Sequence, residues 1–302
     1  MAVITTSSFA KALWPGVNAW YGKAYKEYQP EWDKIFTKAT SKKAYEEDVG
    51  VSSLGLASEK SQGAAIVYDD ERQGFTTRYT HIVYALGFVI TREMFEDDQY
   101  GMVGQRKSKA LANSMRKTKE TVGANVLNRA FNPSYVGGDG LELISTAHVN
   151  VAGGTWSNEL ATPADLSETS LEQGVIDISG FLDDRGLRIA ARAKRLVVPI
   201  GEMFNAHRIL KSTLRPSTPN NDANALNDMG IIPEVSVNHY LTDTDAWFIL
   251  TDVDDGMKYF ERRGDQFEMD NDFDTENAKF KATARYSFGW SDPRGIYGSI
   301  GA

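Results

Sequence analysis

The spacing of hydrophobic positions predicts one long amphipathic helix at the start of the middle third of the chain. Between Leu111 and Val126, side chains suited to a core recur every three or four residues, which places them on one face of a helix. The helix is predicted over about 103–131, and at ~1.5 Å per residue it forms a rod of ~42 Å. Pro133 is predicted to end it, because proline disfavours helical backbone in the residue before it.

Two other stretches have patterns typical of strands. In Lys279–Trp290 every second residue from Phe280 is hydrophobic and the residues between are polar or glycine, which predicts one buried face. From about Tyr45 to Ile90 the pattern predicts a long hairpin, with the polar turn SEKSQG at its tip and the apolar run Ile82–Ile90 at its base. A two-stranded ribbon is marginally stable alone in water, so this hairpin is expected to need a partner surface, which another subunit could supply.

The first 44 residues carry many aromatic side chains without a clear period. Pro15-Gly16 and Pro30 are expected to interrupt regular structure, which predicts an arm with short helices. The aromatic residues either anchor this arm on another molecule or pack on the chain's own core, and the sequence favours neither reading.

The region after Pro133 predicts an α/β unit. An amphipathic helix is expected from Leu171 to Leu182 with Ser167 as its cap, followed by a buried strand at Arg195–Pro199. A further helix and a polar loop over 215–228 complete this unit.

Composition places the chain among ordinary globular proteins, with 41% hydrophobic and 25% charged residues. The chain has no cysteine, which excludes disulfides, thiolate metal sites and a cysteine nucleophile. Neither a secretory signal nor an apolar run of the ~18 residues that a membrane helix needs is found, so a soluble protein is predicted.

Charge is unevenly placed along the chain. Residues 241–276 contain twelve Asp or Glu against three Lys or Arg, whereas the whole chain has a net charge of −8, so the remainder is close to neutral. A net-acidic chain argues against sequence-specific DNA binding, which needs clustered cations. The asymmetry suits copies that meet basic face to acidic face, although acidic residues that merely solvate loops would give the same pattern.

Motifs for chemistry are absent from the sequence. No phosphate loop, dinucleotide motif or GxSxG elbow occurs, and the histidines at 81, 148, 207 and 239 lack zinc-site spacing. Asp252–Gly256 resembles the start of a calcium loop, but its glycine falls one place early and no glutamate follows at the required offset. We therefore predict no catalytic, cofactor or metal site, and no enzyme.

Four segments, in order along the chain, resemble the major capsid proteins of tailed bacteriophages. The second of them, GGDGLELISTAHVNVAGGTWSNEL, is similar to the branch that includes Mu-like heads. The segments are Ile90–Gly101 leading into the long helix, Gly137–Leu160, Leu187–Ser212 with its Val-Pro corner, and the C-terminal pieces Val237–Leu250, Phe260–Asp270 and Lys279–Ser299.

The resemblance implies an α+β capsid fold with four parts. They are an N-terminal arm at 1–44, an extended hairpin loop at 45–88, a peripheral domain with a long spine helix at 89–134 and 235–302, and an axial α/β domain at 135–234. It also implies pentamers and hexamers, formed by head-to-tail contacts, that build an icosahedral shell around double-stranded DNA in the virion, after assembly in the host bacterial cytoplasm.

Subunit contacts are expected in the arm, the hairpin tip, the basic face of the long helix and the acidic region. The candidates are Trp14, Trp20, Tyr25, Trp32, Leu56, Glu59, Lys60, Arg106, Lys107, Lys109, Arg116, Lys117, Lys119, Arg262, Arg263, Asp270, Asp272 and Asp274. Because Met1 leads straight into the arm, a separate scaffolding protein is expected, together with a portal and a possible decoration protein. No cofactor and no membrane partner is expected.

Two other functions remain open from the sequence. An encapsulin-like compartment shell would share the fold and hold a cargo protein instead of DNA. A monomeric hydrolase or binding protein with a dispersed site would be a different class of protein. Only the acidic clusters support this alternative.

Overall fold

The computed structural model describes residues 6–96, 100–215, 222–271 and 277–302. The helices are α1 (Thr6–Tyr25), α2 (Arg92–Glu96), α3 (Tyr100–Asn128), α4 (Glu168–Ser179), α5 (Met203–Lys211) and α6 (Ala225–Asp228). The strands are β1 (Thr37–Thr40), β2 (Tyr45–Val51), β3 (Gln73–Thr80), β4 (Ile82–Ile90), β5 (His148–Val149), β6 (Thr155–Trp156), β7 (Ala193–Val198), β8 (Glu234–Val237), β9 (Trp247–Thr251), β10 (Met257–Asn271), β11 (Ala278–Trp290) and β12 (Ile296–Ser299). Over the described ranges, no helix has the length and apolar character to cross a membrane.

A first sheet has the strand order β1-β10-β11-β4 and packs against α1 and α3. Phe280, Ala282 and Tyr286 of β11 are buried beneath these helices, which confirms the predicted alternation. The long helix is confirmed as α3, and Leu111 and Met115 lie in the same core as Ala282 and Tyr286 of β11. Because a long helix covers long strands here, the core of this part is wide and shallow.

A second sheet has the order β12-β9-β7-β8 and packs against α4 and α5. Its core joins Leu171 and Ile209 of the helices to Leu196 and Trp247 of the strands. Ser167 caps α4 as predicted, since its side chain accepts a hydrogen bond from a backbone N–H of the first helical turn. The predicted α/β unit is therefore present, with the α+β class confirmed for the chain.

The division between the two sheets differs from the predicted one. The strands β9 and β12 pair in the second sheet, although the prediction placed all of 235–302 in the peripheral domain. The chain crosses between the sheets from β9 to β10 and again from β11 to β12, and the two crossings touch at Gly256 and Gly295. Ser291 N donates to the Gly256 carbonyl over 3.1 Å, which ties the crossings together.

Residues 6–25 of the N-terminal arm form one helix rather than the short, interrupted helices predicted. The helix α1 continues through Pro15, although proline has no backbone N–H to donate within a helix. Packing of α1 along α3 offsets this loss, with Tyr21 and Ala24 buried between them and the first sheet. Tertiary contacts thus override the local signal of the Pro-Gly pair.

The extended hairpin is shorter than predicted. The strands β2 and β3 pair antiparallel from Tyr45↔Thr80 to Val51↔Gln73, and residues 52–72 between them form neither helix nor strand. The apolar run Ile82–Ile90 is not the hairpin base but the separate strand β4, which pairs with β11. Tyr84 and Phe88 of β4 stack on Tyr286 and Phe280 of β11, at 4.7 and 4.9 Å between centroids. These contacts draw the run into the first sheet.

Candidate subunit-contact surfaces

The aromatic residues of the arm pack mainly on the chain itself. Trp32 is 8% exposed, lies in the first core and donates its backbone N–H to the Glu120 carboxylate over 3.1 Å. Its ring is therefore not presented to another subunit, contrary to the prediction. Trp20 and Tyr25 are half-buried against the hydrophobic clusters of the first sheet, and the side chain of Trp14 lies outside the described part.

The base of the β2–β3 hairpin is fastened to the first sheet by a polar cluster. Lys258 Nζ lies 2.5 Å from Asp48 Oδ2 and 2.6 Å from Asp255 Oδ1. Ser291 Oγ donates to the same Asp48 oxygen over 2.7 Å and lies 2.6 Å from the Tyr79 hydroxyl. Both strands of the hairpin are thus held where they leave the body of the subunit, and we call these residues the base clamp.

The segment 52–72, called here the hairpin connection, presents apolar side chains to solvent. Leu56 is 82% and Tyr68 is 90% exposed, and the predicted contact residues Glu59 and Lys60 are exposed beside them. The other apolar members are Leu54, Ile66 and Val67, each more than half exposed. Clustered apolar side chains on one extended segment mark an interaction surface rather than isolated surface residues.

The basic face of α3 is smaller than predicted. Arg106, Lys109 and Lys117 are exposed, whereas Lys107 donates to the Val89 carbonyl over 2.9 Å and Arg116 lies over the Tyr28 ring at 4.5 Å. The last two side chains are half-buried.

Lys119 does not belong to the exposed face at all. Its Nζ lies 4.4 Å from the ring centroids of both Trp32 and Tyr259 and 3.7 Å from Glu261 Oε2. Burial lowers the pKa of Lys119 to about 8, against the opposing attraction of Glu261. Only two residues along α3 therefore separate the exposed Lys117 from Lys119, which the rings of Trp32 and Tyr259 enclose.

The acidic region is used partly within the subunit. Asp255 belongs to the base clamp, and Arg262 and Arg263 donate to Lys43 O and Thr283 Oγ1, both over 3.0 Å. Asp270 is exposed and pairs in register with Lys279 of β11. The predicted contact residues Asp272 and Asp274 lie outside the described residues.

His81, His148 and His239 each contact another side chain of the subunit. His148 is fully buried, with Nδ1 2.6 Å from Asp139 Oδ2, and His81 lies between Ser41 and Ser287. Burial, with the nearby Arg285, lowers the pKa of His81. In the described part of the chain, no three His, Cys, Asp or Glu side chains are arranged to hold a metal ion.

Sequence reasoning missed the residue that joins the segment 137–160 to the C-terminus. Asn158 is fully buried, and its Nδ2 donates to the carbonyls of Leu143, Pro293 and Ile296 over 2.9 to 3.2 Å. Its Oδ1 accepts from Ser145 N over 2.9 Å. Only the Ser-Asn pair in the resemblance hinted at this role, because partners 135 and 138 residues away leave no local pattern.

Comparisons with known proteins bear on the family and the fold of the chain. The family model described as phage capsid protein matches residues 74–299. The fold is similar to that of a chain in the procapsid of bacteriophage JBD30, at 13% identity and a TM-score of 0.55 over 97% of this chain and 75% of that chain. It is similar to a Mycobacterium phage Che8 chain at 14% identity and a TM-score of 0.52, covering 89% of this chain and 90% of that one.

A third similar structure is a virus-like particle from Pyrococcus furiosus, at 8% identity and a TM-score of 0.51, covering 94% of this chain and 97% of that one. At these identities the three structures show a common fold. No curated protein sequence matches the chain.

Proposed function

Since the chain belongs to the phage capsid protein family and is a capsid shell protein, we propose that its copies form pentamers and hexamers that close an icosahedral shell around double-stranded DNA. The observation that carries this proposal is the hairpin connection 52–72, whose large apolar side chains are more than half exposed among the described residues. Burying such surface contributes about 25 cal/mol per Å². A neighbouring subunit that covers it gives a head-to-tail contact, and such contacts close into rings.

Electrostatic contacts are proposed to set the register between neighbours. Arg106, Lys109 and Lys117 form one exposed basic row on α3, and the acidic region 241–276 offers carboxylates such as Asp270. Complementary exposed charges mainly accelerate correct association and add little affinity. The apolar hairpin connection would therefore supply most of the contact free energy, and the charged faces would select the orientation.

The remaining partners follow from the shell role. We propose a separate scaffolding protein, a portal and a decoration protein as partners, assembly in the host bacterial cytoplasm, and no catalytic activity. A net charge of −8 supports enclosure of DNA without sequence-specific binding. Membership of the Mu-like branch rests on Gly137–Leu160, the segment whose Asn158 is fully buried.

A protein-filled compartment is the second candidate function. The similarity to the virus-like particle from Pyrococcus furiosus favours it, because a shell of this fold need not enclose a genome. Nuclease-protected DNA in purified shells would support the virion role, whereas a co-purifying cargo protein without DNA would support the compartment.

The shell role is tested by expressing the full chain and observing it by electron microscopy and size-exclusion chromatography. Closed particles are expected. Deleting Leu56–Gly63, at the centre of the hairpin connection, should leave the circular dichroism unchanged and abolish particles. A matched variant that replaces the same residues with Gly and Ser keeps the length and removes the apolar Leu56. It should fail as well, and normal particles from either variant would contradict the role of the connection.

A further inference from the structure

The loop 183–187 of the second-sheet region is built to present one arginine. Asp183 Oδ1 accepts from the backbone N–H of both Arg185 and Leu187 over 2.8 Å, and Asp183 N donates to Leu187 O over 2.7 Å. Gly186 adopts a φ of +81°, which a residue with a side chain rarely takes. The loop is therefore a closed, rigid turn, and Arg185 leaves it in a fixed direction.

Arg185 reaches across to the hairpin connection. Its guanidinium binds the Asp69 carboxylate and the Asp70 carbonyl, so it holds the returning half of the connection at two adjacent residues. Asp69 Oδ2 also accepts from Gly55 N over 2.7 Å, which ties the outgoing half to the same point. The Ser53 hydroxyl donates to Asp183 beside them. We call this set the outer latch.

The outer latch complements the base clamp geometrically. The base clamp holds the hairpin at Asp48 and Tyr79, and beyond it the strands have a register shift between Val49 and Val51. An irregularity of this kind bends a ribbon and changes its twist. A ribbon held only at its base would swing about this point, whereas a second attachment on another part of the subunit fixes its direction.

We propose that Arg185 is a positioning residue that sets the angle at which the hairpin connection leaves the subunit, and through it the curvature of the assembled shell. The inference rests on the proposed shell function, because the connection must reach a neighbour at one defined angle for rings to close. Arg185 suits this role because a planar guanidinium binds two acceptors at once in a fixed orientation.

The latch is strong enough to orient the connection and weak enough to be tested in solution. The Arg185 side chain is 23% and the Asp69 side chain 43% exposed, so salt screens the pair in part. The Gly55 N–H, followed by Arg185, lowers the pKa of Asp69. Asp69 therefore keeps its charge to a lower pH than an ordinary aspartate does.

The test compares R185D, D69R, the R185D/D69R double variant and the control R188D, a matched change at an exposed arginine of the adjacent chain. In dilute subunits, chymotrypsin cleavage after the exposed Tyr68 should rise about five-fold in each single latch variant, the scale expected for one half-exposed ion pair. The double variant should return it towards the wild-type rate, and R188D should leave it unchanged. Shells of the single variants should vary in diameter by electron microscopy, and those of the double variant should be uniform again.

The two proposals fail in different ways. Wild-type protein that forms no particles would refute the shell function, whereas uniform wild-type-like shells from R185D would refute only the role of Arg185. Faster cleavage that the charge exchange does not reduce would also refute it, since that marks a general loosening of the loop. If circular dichroism shows that R185D is unfolded, D69N replaces it, because it removes only the charge at an exposed position. Its cleavage rate and shell diameter then decide whether the latch orients the connection.

Discussion

At the scale of single residues, buried polar side chains hold the arm and the first sheet together. Lys119 lies between Trp32 and Tyr259, and Tyr21 donates its hydroxyl to Asp265. Burial raises the pKa of Asp265 and lowers that of Lys119. Cation–ring contacts and one anionic partner therefore offset the cost of desolvating an ammonium group in this core.

Replacing Lys119 with Met is expected to change how stability depends on pH. The folded pKa of Lys119 is about 8 and its ordinary value is 10.5, so between these values the unfolded chain binds more protons than the folded one. The wild-type free energy of unfolding therefore gains a contribution as pH rises from 8 to 10.5, and this contribution is lost as pH falls. K119M should lack it.

Urea unfolding at neutral pH and at a pH between 8 and 10.5 measures the difference. The free energy of unfolding of K119M relative to wild type should fall at the higher pH. The control is K117M, an exposed position on the same helix, which should follow the wild-type curve. A constant difference between K119M and wild type at both pH values would contradict the burial of a charged Lys119.

The residue scale is where sequence reasoning succeeded least. Lys119 belongs to the same run of cations as Lys117, and only the rotation of α3 about its axis separates an exposed side chain from an enclosed one. The partners of Asn158 lie more than a hundred residues along the chain. Arg185 and Asp69 are likewise distant in sequence, so no spacing rule joins them.

At the scale of elements, prediction succeeded where one periodicity ran long. The helix α3 and the strand β11 were predicted from spacing alone, because each keeps one buried face over many residues. The predicted hairpin was too long, because the sequence of Ile82–Ile90 suits a strand of a larger sheet as well as a strand of a two-stranded ribbon. Its partner β11 lies nearly two hundred residues away in sequence, and nothing local distinguishes the two.

The helix α1 makes a prediction of its own. Pro15 lies inside a helix of 20 residues, where proline is about 3 kcal/mol less favourable than alanine. P15A restores a backbone N–H donor and is expected to raise the free energy of unfolding by about 1–3 kcal/mol and to increase the helical circular dichroism. The control P30A, outside any helix, should give no such gain, and an unchanged or lower stability for P15A would argue against a continuous α1.

At the scale of the whole molecule, the core of the first sheet reaches Val197, Phe248 and Ile296 of the second, and two backbone crossings meet between the sheets. A Cβ added to Gly256 would lie 2.8 Å from Gly295 Cα, closer than packed atoms tolerate. Glycine at this point lets the crossings touch, so the relative orientation of the sheets depends on it. Since the hairpin is clamped to the first sheet and latched to a loop beside the second, this orientation also bears on the proposed shell contacts.

G256A is therefore expected to destabilise the subunit by about 1–3 kcal/mol through overpacking against backbone that cannot rotate away. Particles should be fewer or irregular even under conditions where the variant is folded. G201A is the matched control, because its Cβ would meet its nearest neighbour at an ordinary 3.6 Å. Thermal unfolding and electron microscopy measure both effects, and equal behaviour of the two variants would show that the crossings have room to separate.

The paired crossings also determine how a subunit carries mechanical load. Pressure from inside a filled shell pulls its wall in tension, and a single covalent link between two bodies would act as a hinge under that pull. Here two backbone segments run side by side and are cross-braced by the bonds from Ser291 N to Gly256 O and from Asp292 N to Asp255 O. Two hydrogen-bonded segments resist bending better than one. We therefore expect tension in the shell to separate neighbouring subunits before it separates the two sheets within a subunit.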